Sequence, residues 1–168
     1  MKTESKVKFL QYLAQKKKDR GFTLVELLVV IIIIGILSAI AMPSFLSQAN
    51  KARQSEGKSN VGSLNRAQQT YYLEKESFTD DITSLGIGIS NTNNYSYSAE
   101  DITSITDDVA NKAKALNDDL KGYVGGVFKN TVAGTTKVIL CEADSDGQSD
   151  PGEPNSATYC GPTLTRSR

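Results

Sequence analysis

The chain has 168 residues, with 19 Lys+Arg, 19 Asp+Glu and no His, for a formal net charge of zero. That length suits about one domain, and 39% apolar with 23% charged residues argues against a wholly disordered chain. Lacking imidazole, it cannot form a Ser-His-Asp triad, a Cys-His pair or a two-His zinc helix, and its two cysteines are too few for a cysteine-only zinc site. Overall neutrality argues against binding nucleic acid through bulk positive charge, and no direct nucleic-acid site is evident.

The zero is a sum of unlike parts. Residues 1–21 carry seven basic and two acidic side chains, a net +5, whereas the rest carries twelve basic and seventeen acidic, a net −5. Directly after the basic stretch comes Phe22–Met42, an apolar run whose one ionisable group is Glu26. As a helix rising 1.5 Å per residue it is roughly 31 Å long, enough for a bilayer core of about 30 Å. The basic flank should stay in the cytoplasm, which sends everything after Met42 across the membrane.

An ordinary secretory signal does not fit, because no Ala-x-Ala site follows the apolar run. Instead a small residue, Gly21, separates the charges from the run. Cutting there would discard the charges and keep the helix; the alternative is an anchor that is never cut. Glu26 bears on that choice. A carboxylate inside a spanning segment costs on the order of 2.5–3.5 kcal/mol at the centre and less near the interface. Read blandly, Glu26 is an acid that snorkels to the headgroups.

The stretch from Lys16 through Gly21-Phe22-Thr23-Leu24-Val25-Glu26 to Val30 resembles the prepilin signature of type IV pilins. With the helix that follows, the resemblance covers about the first third of the chain. It implies cleavage between Gly21 and Phe22 by a membrane-embedded peptidase, N-methylation of Phe22, and a role for Glu26 in assembly. The α-amine of a neighbouring subunit, which titrates near 8, would neutralise the glutamate. In an apolar filament core that pairing would select one axial register.

Pro43 removes one helical hydrogen bond and is expected to kink the helix, with Gly35 a second weak point. The resemblance implies a loosened helix between these two positions in a filament. Beyond Pro43 the pattern turns amphipathic, with Val61, Leu64, Gln68 and Tyr71 as the stripe that lies on a sheet and Ala67 beside it. Lys51, Arg53, Lys58 and Arg66 read as a solvated basic face. The helix is expected to run from Phe22 to about Glu76.

The expected organisation is a cleaved leader at 1–21, a transmembrane and assembly helix at 22–42, an amphipathic half at 43–76, and a β-sheet head at 77–168. Within the head, Phe78–Asp81 and Leu85-Gly86 bound a loop, and Tyr95–Ser98 alternates as a strand does. Ala110–Leu116 carries helix formers and reads as a short helical turn. Lys121–Lys129 and Lys137–Glu142 read as a hairpin, with Gly125-Gly126 marking a bulge or close packing. A head this small needs the amphipathic helix as its second layer.

Cys141 and Cys160 lie on the side of the membrane that permits disulfides. The resemblance implies a carboxyl-terminal bond between them; two unpaired thiols are the alternative. Between them Glu142, Asp144, Asp146, Asp150 and Glu153, around Gly147, follow the EF-hand spacing with Glu in the first position. Against it stand that Glu, Ser149 at position 8, Pro151, and the absence of flanking amphipathic helices. The pattern reads first as a solvated acidic turn, with calcium as the one candidate ion behind it; no other cofactor is implied.

Together these features resemble a type IV pilin precursor of α+β class, and the head and carboxyl-terminal pattern resembles the G/H-like subgroup. The resemblance implies a homopolymer with other pilins, a prepilin peptidase, an assembly platform with its ATPase, and an outer-membrane secretin. It implies a single-pass inner-membrane protein, head outside the cytoplasm, later drawn into an extracellular pilus for motility, adhesion or DNA uptake. A type II secretion pseudopilin, forming a short periplasmic filament, would carry the same signature. A membrane-anchored sensor or enzyme is the remote alternative, with no nucleophile motif or convergent charged pocket to serve catalysis.

Overall fold

A computed structural model describes residues 22–130 and 134–167. The basic leader and Gly21 therefore lie outside the described residues. The chain divides after Phe45 into two units. Helix α1 runs from Leu24 to Lys75 without a break, through both Gly35 and Pro43. Its start and end fall within two residues of the sequence expectation.

In the first unit the helical residues are apolar on every side and every one is exposed. A window of this segment reaches a mean hydropathy of 3.0 with none of it buried. Such a helix satisfies its backbone internally but leaves its side chains without a core, the condition of a helix meant for lipid or for other helices.

In the second unit the remainder of α1 covers one face of a five-stranded antiparallel sheet. The strands are β1 (Tyr95–Glu100), β2 (Asp108–Ala115), β3 (Lys121–Lys129), β4 (Thr136–Asp146) and β5 (Leu164–Arg166), paired in sequence order. The β3–β4 hairpin read from sequence is present, with Val127 opposite Val138 and Val124 opposite Cys141. A short 3₁₀ helix, Ile82–Leu85, fills the loop expected after Phe78. Asp81 caps it, accepting hydrogen bonds from Thr83 N (3.0 Å), Thr83 Oγ1 (2.6 Å) and Ser84 Oγ (2.7 Å), and these hold its carboxyl below the usual range.

Two expectations are corrected. Ala110–Leu116 is not a helical turn: residues 108–115 are β2, buried on both faces except at Lys114. Flanked by β1 and β3 and covered above and below, this segment is set by its neighbours rather than by alanine and lysine propensity. The buried stripe of α1 is Gly57, Val61, Leu64, Asn65, Gln68 and Tyr72, so Tyr72 rather than Tyr71 closes it. Tyr72 stacks on Phe78 with ring centroids 4.8 Å apart.

The sheet's two faces have different covers. On the helix side Val61, Leu64, Tyr95, Tyr97, Ala113 and Tyr123 form the main cluster. A buried polar chain runs through it. Gln68 bonds Thr79 through both amide atoms and reaches Asn111, whose Nδ2 donates to Asn65 Oδ1 at 2.9 Å. On the other side Ala110, Val124, Ile139 and Cys141 meet Cys160 and Leu164 from the carboxyl-terminal segment. The Gly125-Gly126 pair is a site of close packing: Asn65 crowds Gly125 from one face, and Phe128 and Pro154 crowd Gly126. The register irregularity lies elsewhere in β3, between Lys121 and Tyr123.

Candidate functional site

Glu26 belongs to the first turn of α1 and is tied into its start. Its Oε2 accepts from Thr23 N at 2.9 Å and Thr23 Oγ1 at 2.8 Å, while Thr23 Oγ1 accepts from Glu26 N at 3.2 Å. This is a reciprocal capping box, and it satisfies amide donors that a helix start otherwise leaves open. The pattern Thr-x-x-Glu is the signal for it, and the sequence reading, which weighed Glu26 as a charge alone, passed over it. Phe22, beside the cap, is 82% exposed.

Pro43 and Gly35 both lie inside continuous helix, and nothing stands within 4 Å of where a Gly35 Cβ would be. Exposed apolar side chains surround both: Ile36, Leu37 and Ile40 on one side of Pro43, Phe45 and Leu46 on the other.

Cys141 and Cys160 form a disulfide with a Cα–Cα distance of 5.8 Å. It joins the middle of β4 to the segment that covers the sheet. Two prolines seat that segment: Pro151 lies over Gly122 and Pro154 over Gly126. Lys112 adds an ionic fastening. Its side chain is 6% exposed and its Nζ lies 2.8 Å from Glu100, 3.1 Å from Glu153 and 3.5 Å from Asp150. Burial pulls the Lys112 ammonium down, but hydrogen bonds to Glu100 and Glu153 and the charge of Asp150 leave it above its ordinary value. Lysine 112 was not singled out in the sequence, where it stands in an alternating Lys-Ala run.

The acids with EF-hand spacing do not converge. Glu142, Asp144 and Asp146 are alternate residues of β4, spaced about 7 Å apart along the strand rather than wrapped into a loop. Glu142 pairs with Lys121 at 3.6 Å, and Asp144 accepts a short hydrogen bond from Thr165. Asp150 and Glu153 turn to Lys112. Among the described residues no group of three or more acidic, cysteine or histidine side chains is arranged to hold a metal.

With this geometry in view, the comparisons with known proteins are specific. A model of type IV pilin-like G and H proteins matches residues 54–163, more than half of the chain. The chain belongs to the type IV pilin-like G and H family. Its members are structural subunits rather than enzymes. The prokaryotic N-terminal methylation motif matches residues 16–42, ending at the close of the apolar run. An 80-residue stretch is 41% identical to the type IV major pilin protein PilA of Myxococcus xanthus, covering 48% of this chain and 36% of PilA. The fimbrial protein EcpC of Eikenella corrodens is 29% identical over 88% of this chain and 98% of its own. The type II secretion system core protein G of Aeromonas hydrophila is 36% identical over 38% of this chain and 45% of its own. The match thus spans less than half of PilA and of protein G but nearly all of EcpC. The pilin-like fold accounts for the long helix, the antiparallel sheet and the disulfide together.

Proposed function

We propose that this chain is the structural subunit of a type IV pilus, made as a precursor and polymerised through the apolar part of α1. The observation that carries the reading is that part itself, a helix with no buried side chain from Phe22 to Leu46 and one carboxylate, Glu26, at its start. In this reading prepilin peptidase cuts between Gly21 and Phe22, Phe22 is N-methylated, and the subunit waits in the inner membrane with its sheet domain outside the cytoplasm. An assembly platform and its ATPase then draw it into a filament that leaves through a secretin. The methylation motif at 16–42 and the hydropathy of the helix support the membrane-anchored precursor.

Assembly follows from simple energetics. Packing the apolar helix against copies of itself removes the same surface from lipid or water in every subunit, and Glu26 sets which axial offset is favoured. A buried carboxylate without a partner is costly, so stacking that brings it to a neighbour's amino terminus is preferred over slipped arrangements. Pro43 and Gly35 are where the helix would yield during that packing.

Intact-mass and amino-terminal analysis of the cellular protein tests the processing. A start at N-methylated Phe22 is the expected result, and a start at Met1 would reduce the chain to a plain anchor. The likeness to protein G favours a second reading, a pseudopilin of a type II secretion system that forms a short periplasmic filament. Long surface filaments composed mainly of this chain distinguish the pilus subunit from it.

A further inference from the structure

Where the carboxyl-terminal segment crosses one end of the sheet, it leaves a groove of about 360 Å³. That size falls in the range of roughly 300–1,000 Å³ typical of ligand clefts. Its floor is a single row across three strands. Asp108 on β2 is in register with Phe128 on β3, and Phe128 with Lys137 on β4. The wall is the turn Asn155–Thr158, held in shape by the bridge between Ser156 and Tyr159 and by Ser156 Oγ, which accepts from Thr158 N at 3.3 Å and Tyr159 N at 3.2 Å. The row therefore presents an acid, an aromatic ring and an ammonium in order, facing a rim of amide and hydroxyl groups.

Each group restricts what can bind. Asp108 is 8% exposed, and its Oδ1 already accepts from Thr103 N and Ser104 N, so the carboxylate is fixed and can only accept further hydrogen bonds. Phe128 lines the groove while packing beside Pro154, which gives it a firm apolar surface. Asn155 and Thr158 are exposed and can both donate and accept, as paired hydroxyls require. Lys137 is exposed and, among the described residues, has no carboxylate within ion-pair distance, whereas the neighbouring Lys129 lies 3.5 Å from Asp107. The fixed Asp108 disfavours an anion beside it, so a ligand's negative charge must sit at the Lys137 end with a neutral, hydroxyl-bearing part toward Asp108; inorganic phosphate has no such part. A neutral sugar would leave Lys137 unused.

The geometry points to a binding site for a carboxylated saccharide, a uronate-type sugar whose carboxylate meets Lys137, whose hydroxyls meet Asp108, Asn155 and Thr158, and whose hydrocarbon face lies on Phe128. The site belongs wholly to the sheet domain.

The test uses the full chain in detergent, applied to immobilised oligogalacturonate, neutral galactan and polyglutamate. Retention on oligogalacturonate above both other polymers is the expected result. Lys137→Gln, and separately the double change Asn155→Ala with Thr158→Ala, should each weaken it about tenfold, the loss expected for a charge-assisted or paired hydrogen bond. These positions are exposed, and near-ultraviolet circular dichroism with an intact disulfide checks that each variant is folded. Lys51→Gln makes the same charge change on α1, away from the groove, and should leave retention unchanged. The site is overturned by equal retention on polyglutamate or galactan, by an equal loss in Lys51→Gln, or by no competition from millimolar free galacturonate.

Discussion

The side-chain amide of Asn65 occupies the space that a β-carbon on Gly125 would need. Asn65 reaches that position from α1, accepts from Asn111 on β2 and donates to the Ile139 carbonyl of β4 at 3.4 Å. Helix and sheet are thus keyed at a glycine, with a polar group in the key. Gly125→Ala should destabilise the sheet domain by about 1–3 kcal/mol, because overpacking here meets a hydrogen-bonded side chain. Gly62→Ala, on the same helix, meets only the Arg66 side chain at 3.8 Å. It should be neutral or stabilising by up to about 1 kcal/mol through helix propensity. Thermal unfolding of the two variants, followed by near-ultraviolet circular dichroism, should show a lowered midpoint for Gly125→Ala and no lowering for Gly62→Ala; equal losses would mean that there is no key.

The fastening of the carboxyl-terminal segment makes an asymmetric prediction. Lys112 is nearly buried, whereas Glu100, Asp150 and Glu153 remain 38–58% exposed. Replacing Lys112 by Met removes the common partner, and the domain should lose about 1–3 kcal/mol. Replacing Glu100 by Gln removes one of three exposed acids and should cost no more than about 1 kcal/mol. Denaturant unfolding measures both; equal losses would mean that the ammonium is not the hub.

Reduction of Cys141–Cys160 should act on the same segment from its other end. The bond closes a loop with a sequence separation of 19, and its loss should cost about 3 kcal/mol on the chain-entropy account. Limited proteolysis after reduction should open first between Gly147 and Tyr159, where the prolines, Lys112 and the hydrogen bond from Gln148 to Asp118 still hold the chain. Cleavage beginning instead in the β3–β4 hairpin would show that the segment is not what the disulfide restrains.

What was legible in the sequence was local. The apolar run, the Lys121–Lys129 strand and its partner each carry their own pattern; the first two are found where the pattern puts them, and the partner, expected over Lys137–Glu142, starts there but runs on to Asp146. What was not legible depended on neighbours. β2 has no alternation because both its faces are covered, so its alanines and lysines read as helix formers. The choice of Tyr72 over Tyr71 depends on where Phe78 returns to the helix. The acidic spacing after Cys141 resembles a cation loop only while β4 is assumed to end at Glu142; its continuation to Asp146 aligns those acids along a strand. The charge of Glu26 could be read directly, but its Thr-x-x-Glu cap with Thr23 becomes meaningful only once the helix is known to start there.

Tyr95, Tyr97 and Tyr123 set the alkaline limit of the sheet domain. Tyr95 lies 6.3 Å from each of the other two, ring centroid to centroid. Burial pushes all three phenols up, Tyr123 to about 12 with help from Glu142 and Asp146. The folded chain therefore keeps these protons after an unfolded chain has begun to lose them near pH 10. Their contribution is complete below about pH 10 and is lost as pH rises toward 12. The raised Lys112 has the same sign. Tyrosinate absorbance should lag that of the denatured protein and then rise together with loss of the near-ultraviolet signal. A smooth titration centred near 10 with structure intact would contradict this.

Glu26 is asked to do two things, and one pair of variants separates them. As the fourth residue of the Thr23 capping box it stabilises the start of α1 through hydrogen bonds. As a charge it is proposed to choose the register of the polymer. Glutamine can serve in a capping box but carries no charge. Glu26→Gln should therefore leave the helix start intact while lowering filament yield, and Glu26→Ala should lose both, with a cap penalty of about 0.3–1.5 kcal/mol. Sheared filament yield, compared with the amount of processed subunit in the membrane, is the measurement. If Gln assembles as well as Glu while Ala does not, the residue acts as a cap, and the charge-pairing account of register fails.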